Sequence, residues 1–442
     1  MAESIGNTGT GMKLHTKILL ALLVGGIAGI LANTQLGGDH AGVQWVNKYL
    51  AGPVGQVFLR MLFMIVMPLV FASIALGVAG LGDLGKMGRV GGKAIGYFFF
   101  STLLAATFGL VLVNIFDPGS GLPEAVKTEL LATYAADASA KVTAQEQGGF
   151  GINTFVNIVT RNPVKSAADG DMLGIIFFGL IFGAALTRLS PTVAKPMIDV
   201  LQALNDVVIV IVGFAMRLAP FGVAGLIFGV TSQFGFTLLK PLGGYVTVVL
   251  AALLLHLFVN LSLILRFIIG ISPLTFFTKI KGAMVTAFST SSSSATLPAA
   301  LQAAQQNLGV PPKIAGFVLP LGSTMCMNGT SIFEGITVIF LCQVFGVDLS
   351  LGGMAIVVIM SVITAIGAAG VPGGSIPLLV GILAMMGVPG EGIAIVLGVD
   401  RILDMTRTMV NVSSDLSATV FVARSEGVWD ASMVPKGPSV SA

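Results

Sequence analysis

The sequence predicts an all-α polytopic membrane protein of about eight membrane-spanning helices plus two re-entrant helical hairpins, on three observations. Of the 442 residues, 55% are hydrophobic and only 10% are charged, against roughly 25% charged in an ordinary soluble domain. Mean hydropathy is +0.95, and apolar runs of about 18 residues or more, long enough to cross a hydrocarbon core, recur along the chain. Two further apolar segments are interrupted midway by polar or glycine-rich stretches. A soluble fold is excluded, as is an outer-membrane barrel, whose strands alternate apolar and polar residues. The net charge of +3, from 23 basic and 20 acidic residues, is too even and too sparse for a nucleic-acid surface. Cys326 and Cys342 lie in apolar stretches and read as small core residues. His15, His40 and His256 are too scattered to bind zinc or haem.

Near the N-terminus, Lys13, His15 and Lys17 precede an apolar span over about 15–34 with no small-residue cleavage pattern, which predicts a retained first helix. Further spans are predicted near 54–80, 94–115, 172–188, 196–230, 242–270, 313–346 and 391–423. Basic residues fall on alternate connections (Lys86, Arg89 and Lys93; Arg188 and Lys195; Lys279 and Lys281; Lys313; Arg424), which predicts cytoplasmic termini. The long connection over 117–171 carries both charge signs and reads as an extracellular excursion.

The interrupted segments run over 273–303, broken at 289–296 by a serine-threonine run, and over 354–386, broken at 367–374 by a glycine-rich run. Each reads as two half-length helices joined at a tip. Irregular backbone at membrane depth survives only where protein or a watery cavity surrounds it, and such interruptions in corresponding positions point to a transporter binding site. Each hairpin is followed by a span rich in polar residues, as if one unit were used twice with opposite topology.

The last span carries Asp400, Arg401, Asp404, Arg407 and Asp415. At about 2.5–3.5 kcal/mol for each central charge, facing them all to lipid would cost on the order of 10 kcal/mol, so they face protein. Asp404, Arg407, Thr408, Asn411 and Asp415 share one arc of roughly 100°. A salt-bridged staple between helices is the alternative to a substrate or ion pathway; the amide and hydroxyl on the same stripe weigh against it. Arg407 suits a carboxylate, Asp404 an ammonium, and Asn411 both donors and acceptors, so a zwitterion with a second carboxylate fits best. The half-helix N-termini at the tips, with the hydroxyls of Ser292 and Ser293, add sites for another carboxylate. Asp415 is a hard oxygen ligand for a small cation. In the span over 313–344, Asn328-Gly329 is a poor helix former, so the ladder is expected to break there, as a cation site or as a kink.

Other motifs fail on context. Residues 80–85 spell G-x-G-x-x-G after a membrane helix instead of a strand, and two glycosylation spellings, at Asn328 and Asn411, lie inside spans. An intramembrane serine hydrolase would need a base beside the serine run, and none is in reach in sequence.

The serine-rich tip over 291–298, the Met327-Asn328-Gly329-Thr330 break, the glycine-rich tip over 370–374 and the final helix over 404–415 together resemble the dicarboxylate/amino acid:cation symporters, the glutamate transporter family. The likeness runs across nearly the whole chain, with all four motifs in order. It implies scaffold helices 1 and 2 (1–92), transport-domain helix 3 (93–116), an extracellular connection (117–170), scaffold helices 4 and 5 (171–231) and transport-domain helix 6 (232–270). Re-entrant hairpin 1 (271–311), broken helix 7 (312–347), re-entrant hairpin 2 (348–389), helix 8 (390–424) and a cytoplasmic tail (425–442) follow. It further implies inverted repeats, a homotrimer in the cell (inner or plasma) membrane and an elevator mechanism of alternating access.

By the same resemblance Arg407 holds the substrate's side-chain carboxylate and Asp404 its amino group. Thr408, Asn411, Ser292, Ser293, Met327 and Thr330 surround the rest, and the second hairpin gates the site through Val371 and Gly373. The pairing of Asp404 with Arg407 implies aspartate or glutamate, whereas a C4-dicarboxylate has no ammonium for Asp404. One implied Na⁺ site joins Asp415 to the carbonyls of Gly322, Cys326 and Asn411; a second uses carbonyls of Thr324, Ala365, Ile366 and Ala368. The chain departs from sodium-coupled members at Cys326-Met327-Asn328, where those carry Asn-Met-Asp. A third Na⁺ site would keep the hydroxyls of Ser101 and Thr102 and lose its carboxylate, so it is expected to be weak or absent. The first tip carries Ser291 where archaeal members have an arginine, a loss for which Arg401 is a candidate replacement. Sodium-coupled uptake of acidic amino acids is the expected function; proton coupling, a C4-dicarboxylate substrate and an ion channel are the alternatives.

Overall fold

The computed structural model describes residues 14–82, 84–121, 159–169, 172–237, 239–368, 370, 372–397 and 399–437, and all regular structure among them is helical. The chain opens with α1 (Leu14–Leu36), α2 (Ala41–Val46), α3 (Gly52–Phe63), α4 (Val66–Gly82) and α5 (Leu84–Phe116). Beyond the connection, of which 122–158 lie outside the described residues, come α6 (Pro163–Asp169), α7 (Met172–Leu186), α8 (Pro191–Phe234) and α9 (Leu239–Leu255). Wider turns continue α9 to Ile269. The C-terminal half holds α10 (Pro273–Thr290), α11 (Ser293–Gln302), α12 (Pro312–Met325), α13 (Asn328–Val344), α14 (Leu351–Gly367), α15 (Ile376–Met385) and α16 (Asp400–Ser425).

Six helical spans among the described residues are long and apolar enough to cross a membrane, against the eight expected. Two expected spans differ for physical reasons. The fourth is α7, whose 15 residues fall short of the roughly 20 that cross alone. The eighth is α16, too polar to count as apolar because its polar side chains are buried in protein. The predicted span over 196–230 lies within one 44-residue helix that continues through Pro196 and Pro220, as membrane helices tolerate.

The N-terminal helices close around α8: α1 lies along it, α3 and α4 pack on it, and α7 packs on α4. Leu23, Val24 and Ile27 on α1, with Val207, Val210 and Phe214 on α8, remain exposed, as side chains that meet lipid can. The remaining helices close around α13 and α16. All of α13 is buried except Gln343, with α5, α9, α14 and α16 against it, and α10, α12 and α13 enclose α16.

The interruptions fall where the sequence places them, and the first is tighter than expected. Ser291 takes a left-handed backbone (φ 51°) and Ser292 an extended one, so α10 gives way to α11 in two residues. Ser292 caps α11, its Oγ accepting the Ala295 N–H at 3.1 Å. The second tip is longer, from Ala368 to Ser375, with Gly373 at φ 73°, a region that glycine enters without penalty. Between α12 and α13 the ladder breaks at Cys326 and Met327, both outside helical geometry (ψ 74° and 63°).

Residues 426–437 fold back on the helix ends. The Trp429 Nε1–H donates to the Leu308 carbonyl at 2.7 Å and Lys279 Nζ to the Gly437 carbonyl at 2.5 Å. Glu426 pairs with Arg89 at 2.9 Å and Lys93 at 2.6 Å, and hydrogen bonds from these two hold its carboxyl below the usual range.

Candidate functional site

The two tips, the α12–α13 break and the middle of α16 meet around one small polar cavity. It is lined by Ser291, Ser293, Met327, Thr330, Ala368, Gly370, Gly374, Ser375, Asp404, Arg407, Thr408 and Asn411. Seven of the ten predicted substrate residues behave alike. Ser293, Met327, Thr330, Asp404, Arg407, Thr408 and Asn411 all line it. Ser292 does not: its Oγ donates to the Gly370 carbonyl at 2.6 Å, where the Ser294 N–H also donates at 3.1 Å, so it ties the tips together. Gly373 reaches the site through its backbone, its N–H donating to Asp404 Oδ2 at 3.2 Å. Val371 lies outside the described residues.

Arg407 is buried and paired with two carboxylates. Its Nη2 donates to Asp404 Oδ1 at 2.7 Å and its Nη1 to Asp400 Oδ1 at 3.1 Å. The guanidinium carbon sits 4.0 Å from the centre of the Phe333 ring, a cation–π contact that steadies its plane. Every charge here has a counter-charge, the condition under which ions survive burial. Two hydroxyls on the wall are different: Ser291 Oγ and Ser375 Oγ are buried with no hydrogen-bond partner among the described residues. Buried polar atoms are rarely left so, and both stand where a polar solute would meet them.

Asn411 joins two helices. Its Oδ1 accepts the N–H groups of Gly329 at 2.7 Å and Thr330 at 3.4 Å, and its Nδ2 donates to Thr330 Oγ1 at 3.2 Å. The first turn of α13, which starts without a capping side chain of its own, is thereby capped from α16. Close approach makes this possible: a Cβ on Gly329 would collide with the backbone of Arg407.

About two turns further along α16, Asp415 is buried and its Oδ1 has no hydrogen-bond partner among the described residues. A Cβ on Gly322 would lie 2.8 Å from that oxygen, so the backbone of α12 comes close to the carboxylate. The Gly322 carbonyl accepts the Cys326 N–H at 2.8 Å and keeps a second lone pair. An unpaired carboxylate oxygen is a hard donor of the kind that suits Na⁺. Of the second predicted set, Ala365 and Ala368 are buried, Ile366 is half-buried and Thr324 is exposed. No group of three or more His, Cys, Asp or Glu side chains at metal-binding distance exists among the described residues, so the cation reading rests on Asp415 and backbone oxygens.

Around Asn328 the polar atoms satisfy one another. Asn328 Oδ1 accepts from Thr102 Oγ1 at 2.9 Å and Ser101 Oγ at 3.3 Å, and its Nδ2 lies 3.4 Å from His256 Nε2. Cys326 Sγ is 3.8 Å from the same amide oxygen.

Glu334 and several pairings within the site escaped the sequence reading. Asp400 stands seven residues before Arg407, about 20° from it on the helix, and helical spacing alone could have paired them. Glu334, whose Oε2 accepts from Thr364 Oγ1 at 2.6 Å and whose Oε1 has no partner among the described residues, was visible as an ionisable residue in an apolar helix. His256 read as a core residue on another helix; nothing in the sequence links it to Asn328, 72 positions away.

Comparison with known proteins agrees with this architecture. The sodium:dicarboxylate symporter family model matches residues 14–425. The chain is 35% identical over 419 residues to the proton/glutamate-aspartate symporter of Escherichia coli K12, covering 95% of this chain and 94% of that protein. It is 35% identical over 402 residues to the proton/sodium-glutamate symport protein of Geobacillus stearothermophilus (91% and 94% covered) and 34% identical over 422 residues to a C4-dicarboxylate transport protein of Bacillus subtilis 168 (95% and 96%). Matched nearly end to end, this multi-pass membrane protein belongs to the sodium:dicarboxylate symporter family, a family of transporters and not of enzymes.

Proposed function

We propose that this chain is a secondary active symporter that carries aspartate or glutamate into the cell with Na⁺. The observation that carries the reading is the buried Arg407–Asp404 pair on the wall of a small polar cavity between two helix tips. An acidic amino acid can exchange with that pair: its side-chain carboxylate takes the guanidinium and its ammonium takes Asp404, so no buried charge loses its partner. The α-carboxylate then meets the hydroxyls and N–H groups of the first tip around Ser293, with Thr408 and Asn411 beside it.

In this reading the segments over 273–303 and 354–386 are re-entrant hairpins and the second is the gate. Among the described residues, hydrogen bonds to the Gly370 carbonyl and from the Gly373 N–H to Asp404 hold it to the rest of the site, and a substrate ammonium would replace the last of these. Asp415 with carbonyls of Gly322, Cys326 and Asn411 takes one Na⁺, and carbonyls of Thr324, Ala365, Ile366 and Ala368 take another. The neutral network on Asn328 leaves no anionic oxygen for a third, so fewer ions accompany each substrate. The helices gathered on α8 form a scaffold in a homotrimer of the inner membrane, with cytoplasmic termini. Those gathered on α13 and α16 travel as an elevator.

A second reading, proton coupling, draws on Glu334, a buried intramembrane carboxyl with a hydroxyl as its hydrogen-bond partner; the relative in Escherichia coli is named as a proton symporter. The C4-dicarboxylate transport protein of Bacillus subtilis, similar over as much of the chain, makes that substrate class the alternative.

Binding of labelled aspartate to purified protein tests the substrate assignment. Arg407→Ala and Asp404→Asn should each weaken it at least about a hundredfold, as expected for a buried charge left without its partner. Wild-type affinity in both variants would end the reading.

A further inference from the structure

Arg401 is a charged residue of α16 that the substrate reading leaves without a task. It is only 8% exposed. Its Nη1 lies 3.6 Å from Asp404 Oδ2, beyond a good hydrogen bond, and its Nε and Nη1 have no hydrogen-bond acceptor among the described residues. A structural arginine in a buried site has its donors filled. This one is held close to Asp404 as a charge.

Its position on the helix explains what the charge does. Asp404 lies three residues from Arg401 and three from Arg407, so the two guanidiniums flank it at about 60° to either side. Arg407 occupies Oδ1 while Arg401 and the Gly373 N–H face Oδ2. Asp400, Arg401, Asp404 and Arg407 sum to zero charge; without Arg401 they sum to −1. Neutrality weakens the pull on an ammonium that approaches Asp404. It also lowers the repulsion of a substrate that brings two carboxylates and no ammonium.

We infer that Arg401 is a specificity-determining residue: its fixed positive charge against Asp404 sets how far the site prefers acidic amino acids over C4-dicarboxylates that lack an ammonium. The inference rests on the proposed pairing of Asp404 with the substrate's ammonium. Arg401 acts through Asp404 and is a positioning residue in that sense.

The test is competition by unlabelled succinate and by unlabelled aspartate against labelled aspartate, on purified full-length protein at saturating Na⁺. The quantity read is the ratio of the two inhibition constants. In Arg401→Gln the ratio of succinate to aspartate should rise at least about tenfold, a modest effect for a unit charge a few ångströms away. Arg401→Lys, which keeps the charge, should stay within about threefold of wild type, a rescue that a role in packing alone would not produce. Where Arg401→Gln does not fold, Arg401→Met keeps the apolar stem without the charge and carries the same test.

A ratio in the charge-free variant within twofold of wild type, a fall in that ratio, or equal shifts in the Gln and Lys variants would overturn the inference. So would succinate that fails to compete with aspartate in the wild type at any concentration. Asp404→Asn separates the two levels. If it leaves aspartate binding intact, the ammonium pairing itself is wrong; if it abolishes binding while Arg401→Gln leaves the ratio unmoved, only the role of Arg401 falls.

Discussion

In the proposed reading, a single side chain, Asp415, couples the protein to a cation. A buried carboxylate oxygen without a hydrogen-bond partner is costly, and Asp415 Oδ1 has none among the described residues. The backbone of Gly322 lies close to that oxygen, and in the proposed reading a small hard cation fills the place. Asp415→Asn is therefore expected to lower the apparent affinity for Na⁺ at least about tenfold, by removing a unit charge from the ligand set. Titration of aspartate binding against Na⁺ would measure this, and an unchanged midpoint would remove Asp415 from the cation path. Asn328 makes the opposite case. Its amide takes both hydroxyls of Ser101 and Thr102 and approaches His256, which fills with neutral hydrogen bonds a place where a carboxylate would have attracted an ion.

At the scale of the element, function depends on helices that stop inside the protein. The start of α13 is capped by Asn411 from α16 only because the two helices touch at Gly329, where even one added methyl meets the Arg407 backbone. Gly329→Ala should destabilise the protein by about 1–3 kcal/mol. It should also weaken aspartate binding, because separating the helices moves Arg407 and Asn411 together; a thermal melt read alongside binding would show whether the two losses coincide. The positions of these breaks were legible in the sequence. Serine and glycine runs inside apolar segments, and Asn-Gly inside another, are places where helix propensity fails, and local chemistry decides such features. The stripe on α16 was legible for the same reason, since helical period places Asp404, Arg407 and Asn411 on one face. Contacts between distant segments were not legible: the Ser292–Gly370 link between the tips, the Trp429–Leu308 anchor of the tail and the His256–Asn328 contact all depend on packing. Composition also overstated the spans, because α7 is too short and α16 too polar to be apolar crossings in their own right.

For the whole molecule, the distribution of polarity matters more than its amount. Exposed apolar side chains lie along α1 and α8, while Asp400, Arg401, Asp404, Arg407 and Asp415 of α16 are buried, with α10, α12 and α13 packed on that helix. The polar side chains of the candidate site gather around a small cavity, with the Asp415 carboxylate further along the same helix. In the proposed reading a substrate in the cavity and a cation at Asp415 are bound and released together, as symport requires. The tail adds rigidity to that half of the molecule by joining Arg89 and Lys93 of α5 to the end of α16 through Glu426, and Lys279 of α10 to Gly437.

Uptake of labelled aspartate into proteoliposomes, under an imposed Na⁺ gradient at symmetric pH and separately under a pH gradient without Na⁺, tests the central claim most directly. Uptake that follows the Na⁺ gradient, saturates with aspartate and supports counterflow is the predicted result. Uptake driven by the pH gradient alone, indifferent to Na⁺, would contradict sodium coupling and move the coupling step from Asp415 to a proton-carrying group such as Glu334.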